Sequence, residues 1–100
     1  MEIKLVRDKI PQLAKDTLNA EFVKCDNYFT KQNLLAKKLQ EEINEYLEDY
    51  NLEELIDIET VIRAIIKHIE GLSMEQFEEL YKEKANERGE VDEFYLGIFN

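Results

Sequence analysis

Little in this chain can break a helix. Its 100 residues hold one proline and three glycines. The scarcity of helix breakers excludes a loop-rich or turn-rich β fold and leaves room for long helices. The one cysteine, Cys25, rules out an internal disulfide and a thiolate zinc site. Beside Phe22 and Val23 it reads as an inert, half-buried side chain. The one histidine, His68, stands three residues after Ile65. A di-iron bundle needs Glu-x-x-His on two helices, so that chemistry is excluded. No apolar run is long enough to span a bilayer. The opening Met-Glu-Ile-Lys-Leu-Val-Arg-Asp is not a signal peptide, so a cytoplasmic protein is expected. Basic residues are also few, 13 against 23 acids, for a net charge of −10. That balance argues against nucleic acid or an anionic membrane as partner. It suits a protein that recruits divalent cations. The length sets one domain, residues 1–100, with a small core that dimerisation would supplement.

What is present is helical periodicity. Pro11 suits the first turn of a short helix running to about Thr17 and burying Ile10, Leu13 and Leu18. Residues 19–26 carry Phe22, Val23 and Cys25 without a helical period, as a short strand or an extended loop. A long helix starts between Asn27 and Thr30 and runs to about Tyr50. Asn51 caps the next, Leu52 to about Glu70, which Gly71 ends. Ser73 and Gln76 form a capping box for a third, Met74 to Arg88, with Phe77, Leu80 and Tyr81 on its core side and Met74 and Ala85 nearby. Gly89 stops it. Residues 91–99 form an apolar, aromatic tail, read as a short strand or as an arm packed on a neighbour. The expected class is all-α: an antiparallel helical bundle with short extended N- and C-terminal segments.

Two acid pairs flank Asn51: Glu42 with Glu45, and Glu54 with Asp57. Each is spaced i,i+3, so its carboxylates share a helix face. Stepping about 100° per residue puts Leu35, Leu39, Ile43, Tyr46, Leu47 and Tyr50 in one arc, with Glu42 just beside it and Glu45 further round. On the following helix Leu55, Ile58, Val61, Ile62, Ile65, Ile66 and Ile69 share an arc. Glu54 falls inside that arc and Asp57 at its edge. An acid on a core-facing arc is costly unless paired or metal-bound. If the helices fold back, four carboxylates converge, and oxygen-only ligation suits Mg²⁺ or Mn²⁺. The plainer alternative is a solvated acidic face, with Glu54 serving only the capping box of Asn51.

Three stretches in order resemble a known family. Lys4-Leu5-Val6-Arg7-Asp8-Lys9-Ile10-Pro11 is similar to the opening of small MazG-like, all-α nucleoside triphosphate pyrophosphohydrolases, relatives of phosphoribosyl-ATP pyrophosphohydrolase. Glu41-Glu42-Ile43-Asn44-Glu45, then Glu54-Leu55-Ile56-Asp57, resembles their EExxE and ExxD metal motifs. Residues 84–89, Phe94 and Gly97-Ile98-Phe99 resemble their C-terminal segment. The resemblance covers essentially the whole chain. It implies a four-helix-type core, Mg²⁺ dependence, a homodimer or dimer of dimers, and hydrolysis of a nucleoside triphosphate to monophosphate and pyrophosphate, in some relatives as house-cleaning of noncanonical nucleotides. Glu42, Glu45, Glu54 and Asp57 would then be metal ligands, and Glu41 would orient or deprotonate the water. The shorter gap between the acid pairs and Asn86, where small members often carry an acid, depart from the family pattern.

Such a substrate needs basic side chains. Lys4, Arg7 and Lys9 near one end and Lys84 and Arg88 near the other are the candidates, Arg7 and Arg88 first because guanidinium grips phosphate bidentately. Lys84 and Arg88 also suit a helix C-terminus without any ligand. Tyr28, Tyr46, Tyr50, Tyr81 and Phe94 offer rings for a base, although core or interface is the commoner use. Two alternatives remain: phosphoribosyl-ATP as the substrate, and a non-enzymatic helical dimerisation module whose acids only confer solubility.

Overall fold

The computed structural model describes residues 2–17 and 19–100. The expected burial of Leu18 lies outside the described residues. Four helices follow in order: α1 (Ile10–Leu13), α2 (Tyr28–Asp49), α3 (Leu52–His68) and α4 (Met74–Arg88). There is no strand among the described residues, so 19–26 and the tail are irregular.

Each long helix begins where a polar side chain can satisfy a free backbone N–H. Asn27 Oδ1 accepts from the Thr30 N–H at 3.0 Å and Asn51 Oδ1 from the Glu54 N–H at 3.1 Å. Ser73 and Gln76 close the full capping box. At the end of α2, Tyr50 takes a left-handed conformation (φ 51°), and its N–H bonds back to the Tyr46 carbonyl. Two residues, Tyr50 and Asn51, thus reverse the chain. Tyr28 at the start of α2 comes within 3.5 Å of the Ile69 carbonyl at the end of α3, so the two helices run antiparallel over their whole length.

The core lies mainly along that hairpin. Leu35, Val61 and Ile66 are buried, joined by Ala14. Leu39, Ile43, Tyr46, Ile58, Ile62, Ile65 and Ile69 are half-buried, as their arcs predict. Leu47, Tyr50 and Leu55 are exposed instead. One neighbouring helix covers a narrower stripe than a full apolar arc, and the stripe's edges stay wet. The first helix is also shorter than expected. It ends at Leu13, which is exposed, and Ala14 takes the buried place. A single turn with one buried methyl has too little packing to propagate. α4 meets α3 over a shorter length than α2 does. Phe77 and Ala85 are half-buried, while Met74, Leu80 and Tyr81 face solvent.

Candidate metal centre

The hairpin brings three of the four expected acids together. Glu42 on α2 and Glu54 and Asp57 on α3 each offer an oxygen, and these oxygens all lie within 4.8 Å of one another. Glu42 is the deepest, 5% exposed, although the helical wheel put it only beside the apolar arc. Glu54 and Asp57 are half-buried. Glu45 is half-buried too, and its carboxylate lies against that of Glu42, but it is not within the same reach of all three clustered acids.

Two cations of the chain itself already touch the cluster. Lys38 Nζ, one turn before Glu42, lies 3.2 Å from Glu42 Oε1. Arg7 Nη2 donates to Asp57 Oδ1 at 2.6 Å and to Thr60 Oγ1 at 3.0 Å. A third contact sits beside them: Lys4 Nζ donates to Glu41 Oε1 at 3.0 Å. Residues 4–7 therefore span the hairpin, holding α2 through Glu41 and α3 through Asp57. Burial pushes the Glu42 carboxyl above the ordinary carboxylate range, and neighbouring Glu45 adds to this while Lys38 opposes it. Glu41 is shifted the other way, its carboxyl held low by the hydrogen bond from Lys4.

The compensation is incomplete. Glu42 Oε2 and Glu54 Oε2 are both buried, and no hydrogen-bond donor among the described residues reaches either. A buried carboxylate oxygen without a donor is costly, more so beside two further acids. An all-oxygen set with two unsatisfied inward oxygens fits a hard divalent cation. The Glu54 backbone N–H does cap α3 through Asn51, yet its side chain turns inward to the cluster. Asn51 is therefore a simple N-cap: the reciprocal bond from the Glu54 carboxylate to the Asn51 N–H, which would complete the expected capping box, is not formed, because that carboxylate is turned to the cluster.

Of the basic candidates, the structure sets Arg7 on the cluster and Lys4 beside it. Lys9, Lys84 and Arg88 are exposed, with no hydrogen bond or ion pair to these acids. Lys38 and Thr60 were missed by sequence reasoning. Lys38 was legible from its i,i+4 spacing to Glu42. Thr60 was not, because its partner lies 53 residues away. No helix among the described residues is long and apolar enough to cross a membrane. No family model, curated protein or solved structure matches this chain.

Proposed function

We propose that the protein is a divalent-metal-dependent nucleoside triphosphate pyrophosphohydrolase of the MazG-like kind, acting at the α–β phosphoanhydride. One observation carries the reading: the donorless, buried Oε2 atoms of Glu42 and Glu54, in a carboxylate cluster shared with Asp57. Glu42, Glu54 and Asp57 would hold Mg²⁺ or Mn²⁺, with Glu45 close enough to join after a rotamer change. The cation would neutralise the triphosphate and activate a water for attack.

The chain's own residues prepare the rest. Arg7 reaches the cluster from outside and, once a cation satisfies Asp57, is free to turn its guanidinium to phosphate oxygens. Lys4 keeps Glu41 ionised, the form a general base must start in. It also lowers the affinity of Glu41 for a proton, so the Lys4–Glu41 contact must open for proton transfer. Lys9, Lys84 and Arg88 are proposed substrate contacts on the resemblance alone.

A second reading has its own support: Lys38 and Arg7 already pair with Glu42 and Asp57, as they would in a helical module that binds no metal. The two readings part in one experiment. Pyrophosphate release is measured from a panel of canonical and modified nucleoside triphosphates and phosphoribosyl-ATP, with Mg²⁺ or Mn²⁺, beside Asp57→Asn. Release that is lost in the variant is expected. Mg²⁺ at ten times its Kd should also raise Tm by about 6–11 °C. No release from any substrate, with an unmoved melting curve, would leave the helical module.

A further inference from the structure

The chain leaves an unusual amount of surface uncovered. Its accessible surface is 9376 Å² at 11.9 kDa. A compact monomer of that mass exposes about 5,900 Å². The radius of gyration, 17.2 Å, likewise exceeds the roughly 13 Å of a compact chain of this length. Part of the surplus is concentrated in residues 91–100. Val91, Phe94, Tyr95, Leu96, Ile98 and Phe99 are 79 to 94% exposed. Three of them are aromatic, and each ring residue can bury about 150–250 Å². One tail therefore offers about the 800 Å² that each side of a standard protein interface contributes.

The root of the tail is fixed. Gly89 ends α4 in a positive-φ conformation (φ 85°), and Tyr81 donates to Glu90 Oε2 at 2.7 Å. Beyond that anchor the backbone turns again at Phe94 (φ 56°). Residues 94–100 contain no charged side chain, the longest such run in a chain that is 36% charged. Copies that each carry a charge of −10 repel wherever their charged faces meet. An uncharged segment is where they can touch without that cost.

A receiving surface exists on α3. Leu52, Leu55, Ile56, Glu59, Thr60 and Arg63 line an open groove of about 370 Å³ on its outer side. Its floor is apolar, and Arg63 is held back by Glu59 at 3.1 Å. We infer that residues 91–100 are an arm that docks in the α3 groove of a second copy of this chain, with the exchange reciprocated across a two-fold dimer. A reciprocal pair contributes two arms and two grooves, which brings the contact into the range of a stable dimer. The groove borders the Arg7 contact through Thr60 but contains none of the three clustered acids, so self-association and metal binding are read by different variants and either can fail alone.

Sedimentation equilibrium tests it. The full chain is expected at twice its 11.9 kDa mass. The variant Leu96→Asp/Phe99→Asp should weaken self-association by roughly a hundredfold or more while keeping the far-UV helical signal. A second measurement places the contact. Leu96→Cys and Ile56→Cys are made in separate chains, each with Cys25→Ser, then mixed and oxidised. A disulfide joining positions 96 and 56 of different chains is expected. A monomeric full chain overturns the inference. So does a dimer that survives the double variant, or one that forms no such disulfide.

Discussion

Glu42 concentrates the tension in this molecule. It is the only charged residue buried among those described, and burial raises its carboxyl above the ordinary value of 4.5. The sign of the pH dependence follows. Between the ordinary and the raised value, the folded state holds more proton than the unfolded one. Stability therefore falls as pH rises through that window. In metal-free buffer, Tm should climb as pH drops toward the ordinary carboxylate value, and Glu42→Gln should flatten that climb. At neutral pH the variant should be as stable as the parent or more so, because removing an acid from a crowd of acids relieves repulsion. A loss of several degrees would mean that the ion pair with Lys38 outweighs the repulsion. Much of this site was legible at the level of single residues. Acids in or beside the apolar arcs of two adjacent helices nominated Glu42, Glu45, Glu54 and Asp57, and all but Glu45 come together. The contacts of Arg7 were not legible, since no local spacing connects a residue in the first ten to α3.

At the level of elements, caps carried more information than hydrophobic arcs. Asn51 and Ser73 each start a helix where the sequence set it, and Asn27 starts one within the range of residues 27–30 that the sequence allowed, because a cap is a contact between residues three apart. Arc width failed as a guide to burial at Leu47, Tyr50 and Leu55, which depends on how many neighbours a helix acquires. The tail was left between strand and arm for the same reason: six apolar side chains in nine residues carry no period that decides it. Asn51 is the cap with the most depending on it. Asn51→Ala should cost about 1 kcal/mol, a fall of about 4–8 °C in Tm. It should also weaken Mg²⁺ binding, since the same residue fixes the first turn that presents Glu54. Isothermal titration with MgCl₂ would show this. Unchanged affinity would mean that the acids are positioned by interhelical packing alone.

The whole molecule is strongly anionic, and any cation will screen it. Mg²⁺ must therefore be compared with NaCl at equal ionic strength. Screening should raise Tm alike in the parent and in Asp57→Asn. The extra rise with Mg²⁺ should appear in the parent alone, and an equal response in both would reduce the metal effect to bulk electrostatics.

The two-residue reversal at Tyr50 and Asn51 has an evolutionary consequence. A cluster built from acids on both sides of a turn is phase-locked, because one inserted residue rotates everything beyond it by about 100° and advances it by about 1.5 Å. Chain length between Glu45 and Glu54 can then change only in quanta, by about one helical turn added to each arm of the hairpin together. Descendants of this sequence should vary freely in length over residues 19–26, and in the hairpin only by such paired steps.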